Sequence, residues 1–308
     1  MEDKATRSGF YFEEYLPLEH GQMLRRQWTL EGIRIFCLEG KLDKAIAFEE
    51  GFTANAPTLL FLEKGEIRVG LRDASKEILL KTGMHNALFS AETALFLLSN
   101  AQELKVWAIE YSKNDFLNYA SEFGPAMQQF ASNVEKGLDT LLFEGPAFIN
   151  LQIQSCLRSI LETAPNLEGK ALLPRAKALE LLCLQAIAAE HYSSHVQPVV
   201  KSDYDRERLI FAKDYLLKSM AMPPSLPELA RIAGINEFKL KHGFKALFGE
   251  TVFGYLAKAR LELAKRALEK GNQTATEIAF ELGFSSLPHF SAAFKKQFGF
   301  SPSRFEKR

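Results

Sequence analysis

The rhythm of apolar and polar positions changes twice along these 308 residues. From about residue 20 to 112 the apolar positions form short runs of strand length, such as Ile33 to Leu38, Thr58 to Leu62 and Val106 to Tyr111. Turn-prone pieces such as Glu63-Lys64-Gly65-Glu66 and Thr82-Gly83-Met84-His85-Asn86 separate them. Leu59 to Leu62 and the alternating Ile67 to Leu71 predict the two arms of a hairpin. Many short strands at close spacing predict a sandwich or barrel. From Asn114 the spacing becomes three and four, which predicts helices over Asp115 to Phe123, Pro125 to Gly137, Asn150 to Thr163 and Pro174 to Tyr192. The last carries a broad apolar stripe of Ala178, Leu181, Leu182, Gln185, Ala188 and Ala189, suited to an oligomer interface or to packing within one chain. Residues 193–203, polar at both ends and without helical period, read as a linker. The chain is thus an α+β multidomain protein: a β-rich domain over 1–112, a helical linker or dimerisation region over 113–192, a linker over 193–203, and an all-α domain over 204–308.

That last domain contains an internal repeat. Glu228-Leu229-Ala230-Arg231-Ile232-Ala233-Gly234-Ile235 returns as Glu277-Ile278-Ala279-Phe280-Glu281-Leu282-Gly283-Phe284. Further on, Phe244-Lys245, Phe248-Gly249, Thr251 and Tyr255 are matched by Phe294-Lys295, Phe298-Gly299, Ser301 and Phe305. Each copy predicts a short helix closed by glycine, a polar cap (Asn236; Ser285 or Ser286), and a second helix burying phenylalanines one turn apart. Helix, tight turn, capped amphipathic helix is the helix-turn-helix pattern, whose second helix can enter the major groove. Between the copies, Thr251 to Glu269 predicts one spacer helix with Phe253, Leu256, Leu263, Ala264, Ala267 and Leu268 inward. Its nineteen residues span about 28 Å at ~1.5 Å per residue, near the ~34 Å between successive major-groove faces.

Charge supports that reading. Lys+Arg and Asp+Glu both total 38. Residues 1–200 hold 19 basic and 26 acidic side chains, a net of −7, whereas residues 201–308 hold 19 and 12, a net of +7. A basic final third suits a polyanionic partner. Apolar residues at 47% and charged ones at 25% describe a folded protein, not a disordered or collagen-like one. No apolar run approaches the ~20 residues of a membrane helix, and the charged start (Glu2, Asp3, Lys4, Arg7) does not resemble a signal peptide, so a cytoplasmic protein without membrane contact is expected. Cys37, Cys156 and Cys183 lie far apart and offer neither a disulfide framework nor a C-x-x-C metal site. Phosphate-loop, dinucleotide-binding and nucleophile-elbow motifs are absent, so neither an enzyme nor a cofactor is expected. His191 and His195 stand four apart, and a solvated surface pair is the expectation there.

The spacing Ala279-x3-Gly283-Phe284, then Phe290-x3-Phe294-Lys295-Lys296-x-Phe298-Gly299-x-Ser301-Pro302-x2-Phe305, resembles that of AraC/XylS-type transcription regulators over residues 204–308. Asn236 to Lys245 followed by Thr251 to Leu256 is similar to the siderophore-responsive, pyochelin-type subgroup. The resemblance implies an activator that binds double-stranded promoter DNA through two helix-turn-helix units, as a homodimer in contact with RNA polymerase. It implies base contacts from Phe238, Lys241 and His242, and from Leu287, Pro288 and Ala292 in the second unit. Backbone contacts would come from Asn236, Lys239, Lys245, Ser286, His289, Ser291, Lys295 and Lys296. Few hydrogen-bond donors face the bases in the second unit, so the first is expected to discriminate and the second to add affinity.

Residues 1–112 are generically similar to cupin-like sensor domains. A small-molecule effector is the expected ligand, with a ferric siderophore as the class implied. Trp28, Phe36, Phe61, Phe89, Phe96 and Trp107 could line its pocket, or be ordinary core aromatics. A catalytic metal would need clustered His and carboxylates, and only His20 and His85 fall in this region, so no metal is expected. The rival readings are a small-molecule-binding β barrel with a helical protein-interaction tail, and a DNA binder without an effector.

Overall fold

The computed structural model describes residues 6–8, 10–18, 21–42, 46–48, 53–70, 77–91, 96–99, 103–145, 147–163, 171–195 and 203–305. Most of the expected linker (196–202), His20 and the side chains of Phe96 and His195 fall outside the described residues. The chain divides into two compact units, Met1–Ser194 and His195–Arg308.

Among the described residues, two antiparallel sheets build the first unit. The larger runs β1 (Thr6–Ser8), β2 (Tyr11–Leu18), β3 (Gly21–Leu30), β4 (Ile33–Leu42), β11 (Glu103–Tyr111), β6 (Thr58–Lys64), β9 (Met84–Phe89) and β12 (Thr140–Leu141), with β13 (Ala147–Phe148) also on β9. The smaller runs β5 (Ile46–Phe48), β10 (Phe96–Ser99), β7 (Glu66–Gly70) and β8 (Glu77–Lys81). Pairing puts Trp107 opposite Cys37, and Trp28 opposite Ile35.

The hairpin expected at residues 59–71 is not formed. β6 pairs with β11 and β9, whereas β7 pairs with β10 and β8. The chain changes sheets at Gly65, whose φ of +100 suits glycine. The side chains explain the split. Thr58 to Leu62 are all buried and demand a strand covered on both faces, while in β7 buried Ile67 and Val69 flank exposed Arg68. The Thr82 hydroxyl donates to the Gly65 carbonyl and accepts from its N–H, joining this corner to the next one.

Among the described residues, four helices complete this unit: α1 (Lys113–Ala120), α2 (Pro125–Glu135), α3 (Leu151–Thr163) and α4 (Leu172–His195). Their apolar faces share one core with the larger sheet, in which Trp28, Phe61 and Trp107 meet Phe116, Phe130, Leu157 and Leu181. Residue 112 therefore marks a change of secondary structure inside one core. Of the stripe on α4, Ala178, Leu181, Leu182, Gln185 and Ala189 are buried within the chain. The opposite face of α4 exposes Leu172, Leu173, Cys183 and Ile187.

The second unit is helical: α5 (Asp203–Lys218), α6 (Leu226–Ala233), α7 (Glu237–Phe248), α8 (Val252–Lys270), α9 (Ala275–Glu281), α10 (Leu287–Phe298) and a 3-10 turn, Pro302–Arg304. Its first half packs Phe244 against Phe248 and Tyr255, with ring centroids 4.6 and 5.5 Å apart. The second half gathers Leu261, Ala264, Leu268, Ile278, Phe284, Phe290 and Phe294. α8 serves both, Tyr255 on one side and Leu261 to Leu268 on the other. Phe253, expected inward, is 45% exposed. Val252, Tyr255, Leu256 and Ala259 already form the buried stripe, and position 253 sits about 100° round the helix from it.

Candidate nucleic-acid interface

Each helix pair starts with the same device. Ser225 caps α6 and exchanges hydrogen bonds with Glu228; Thr274 caps α9 and does so with Glu277. These bonds hold both carboxyls below the ordinary carboxylate range. The S/T-x-x-E spacing of a capping box was there in the sequence to find them. After each first helix the chain turns at a left-handed glycine, Gly234 or Gly283 (φ +69 and +78). A Cβ at Gly283 would lie 2.3 Å from the Ala221 carbonyl oxygen. Asn236 then caps α7 (Lys239 N–H to Oδ1, 2.8 Å), and Ser286 caps α10 (His289 N–H to Oγ, 3.4 Å).

α7 and α10 have equal length and an offset of 50 residues, Glu237 to Leu287. Leu240, Phe244 and Phe248 face one core where Phe290, Phe294 and Phe298 face the other. The same register pairs Phe238 with Pro288, Lys241 with Ser291, His242 with Ala292 and Lys245 with Lys295.

The structure distributes the expected contacts unevenly. On α7, Asn236, Phe238, Lys241, His242 and Lys245 are exposed, Phe238 at 63%. The Phe238 and His242 rings lie 4.1 Å apart, and His242 Nδ1 is 2.9 Å from the Phe238 carbonyl oxygen. A carbonyl only accepts, so Nδ1 carries the proton and Nε2 is left for another partner. Lys241 stands 3.7 Å from Glu237, one turn away. Lys239 is drawn aside: its ammonium lies 2.9 and 3.1 Å from the oxygens of Asp205 on α5. No local signal in the sequence marked that pair, which spans 34 residues.

On α10, Pro288, His289, Ala292, Lys295 and Lys296 are exposed, while Ser286 and Ser291 are half-buried. Leu287, expected at a base edge, is half-buried against the core of its own pair. With Phe290 and Phe294 it falls at three- and four-residue spacing on one helix face, and its register partner is Glu237. Lys245, Lys295 and Lys296 are in no ion pair among the described residues.

A helix-turn-helix domain family matches residues 229–308. Over 95 residues the chain is 41% identical to the regulatory protein PchR of Pseudomonas aeruginosa, covering 30% of this chain and 31% of that protein. It is 36% identical over 83 residues to a putative AraC-like transcription regulator of Streptomyces lividans, 27% of each protein. Residues 229–308 form a helix-turn-helix domain similar in sequence to that of AraC-like regulators. The HTH-type transcriptional activator RhaS of Escherichia coli shares 27% identity over 154 residues, half of this chain and 54% of that one. The matched segments thus span between 27% and 54% of the length of these relatives.

In the first unit, Trp28, Phe61, Phe89 and Trp107 all belong to the core shared with the helices, and Trp28 stacks on Trp107 at 6.1 Å. Phe36 is buried beside the Arg34 guanidinium, 5.1 Å away. His85 is buried on β9, accepting at Nδ1 from the Gln185 amide of α4 (3.0 Å). Burial pushes its pKa down to about 3, so the ring is neutral. Among the described residues no group of three His, Cys, Asp or Glu is placed to hold a metal, and no helix is long and apolar enough to cross a membrane.

Proposed function

We propose that the chain is a transcription regulator that binds promoter DNA through α7 and α10. The observation that carries this is the pair of register-matched helices, each exposing its outer face while Phe244 and Phe248 on one, and Phe290 and Phe294 on the other, face a core, in a third of the chain with a net charge of +7. α7 supplies most sequence discrimination, with Lys241 donating to guanine O6 or N7 and the Phe238–His242 pair meeting the neighbouring base. α10 supplies mostly affinity, with Lys295 and Lys296 on phosphates. α8 sets the separation of the two helices. Binding of a selected duplex by the full chain is the test. With about five phosphates neutralised, log K falls against log salt with a slope near −4 to −5. A flat salt response, or no duplex retained, overturns the reading.

The first unit is read as a cupin-like sensor of a small molecule, with a ferric siderophore as the class that the pyochelin-type resemblance suggests. Dimerisation through the exposed face of α4, activation, and contact with RNA polymerase belong to the same proposal. A ligand of this unit raises its melting temperature, followed through Trp28 and Trp107, the only tryptophans in the chain.

A further inference from the structure

We propose that the second helix pair selects base pairs by the thymine C5-methyl group, with Pro288 and Ala292 as the contact surface. The inference rests on the DNA-binding reading above and assigns α10 a base preference within it.

Pro288 and Ala292 are both exposed and stand four residues apart, one above the other on α10. Register matches them to Phe238 and His242, the pair α7 turns outward. α7 offers polar atoms there: the free His242 Nε2 and, one residue before it, the Lys241 ammonium. α10 offers none. Pro288 has no N–H to donate and Ala292 ends at a methyl. Ser291, the counterpart of Lys241, is half-buried, and the Ser286 hydroxyl accepts from the His289 N–H.

An apolar face on a surface helix usually docks on protein, and here charge argues against that. α10 has no acidic residue, and its last turn carries Lys295 and Lys296, neither paired among the described residues. A helix whose exposed positions 288 and 292 carry no side-chain donor, with His289 beside them, and whose last turn is cationic fits a groove whose walls are phosphate and whose floor can be apolar. In the major groove the one apolar feature of a base pair is the thymine methyl. Cytosine at the same place presents an amino donor, which Pro288 and Ala292 leave without an acceptor.

The test uses the full chain and a duplex of about thirty base pairs recovered by binding-site selection, about three helical turns. Each thymine is replaced in turn by deoxyuridine, which removes the methyl and leaves the Watson–Crick edge intact. Burying one methyl group corresponds to about a fourfold change in affinity. We expect that loss at one or two thymines lying about one helical turn from the positions relaxed by Lys241→Ala. In Ala292→Ser the deoxyuridine penalty disappears at one of those positions, and 5-methylcytosine in place of thymine largely preserves binding to the unaltered chain. Retention of the duplex with no deoxyuridine penalty in that half of the site overturns the methyl assignment and leaves the DNA-binding reading standing. Failure to retain any duplex overturns both.

Discussion

The two helix pairs of the C-terminal unit are one scaffold with two surfaces. Cap, short helix, left-handed glycine, second cap and phenylalanine-lined helix recur in the same order, with one residue inserted at the turn of the second copy. What differs is what each second helix turns outward: Phe238, Lys241 and His242 on α7, Pro288 and Ala292 on α10. A fold needs the buried positions to agree, because a core tolerates little change in volume. Function is written on the remaining positions, where the same backbone accepts a lysine or a small side chain at almost no cost in stability. Repetition of a helix pair preserves the interior and frees the face.

The largest effects should treat the two copies alike. Phe244 and Phe294 are each fully buried, so Phe244→Ala and Phe294→Ala should each cost about 3–5 kcal/mol. Calorimetry of the C-terminal transition measures both. A cost below 1 kcal/mol at one of them would show that the copies do not share a scaffold.

Glycines sharpen the comparison further. Gly283→Ala combines a left-handed backbone with a Cβ driven into the Ala221 carbonyl, and should cost about 3 kcal/mol. Gly299→Ala has the same backbone sign with nothing within 4 Å, and should cost about 1 kcal/mol. Equal losses would mean that the close approach of residue 221 is not a constraint.

The N-terminal unit should respond differently to acid. His85 is neutral in the folded state with its pKa near 3, against about 6.5 when unfolded. The unfolded chain then binds a proton that the folded chain does not, so stability present above pH 6.5 is lost as pH falls toward 3. Between pH 6.5 and 5 that amounts to about 2 kcal/mol. Both tryptophans lie in this unit, so their fluorescence during urea unfolding reports it alone. His85→Gln should flatten the slope; an unchanged slope would assign it to other groups.

Local patterns made the C-terminal unit readable in advance. Glycine-terminated helices, caps and three-four spacing act within a few residues, and α6, α7 and α10 follow them closely. Helix faces were readable to about a third of a turn, which is why Phe253 came out on the wrong side. Charge pairs between helices were not readable at all: nothing near Lys239 announces Asp205. The N-terminal sheets were legible as strands but not as partners. Thr58 to Gly70 has the appearance of a hairpin, and only the burial of β6 on both faces sends its second arm to the other sheet. The aromatics of that unit illustrate the same limit. Trp28 and Trp107 look alike whether they line a cavity or fill a core, and here they fill the core behind α4.

The division of labour between the two exposed faces is tested most directly by binding-site selection on three versions of the full chain: unaltered, Lys241→Ala, and Lys295→Ala with Lys296→Ala. Lys241→Ala should lose about 1–3 kcal/mol of discrimination at one base pair. The double lysine variant should recover the same sequence, bind it more weakly, and reduce the salt slope by about 2. If Lys241→Ala leaves the selected sequence intact while changes at Ala292 scramble it, the assignment of discrimination to α7 is contradicted.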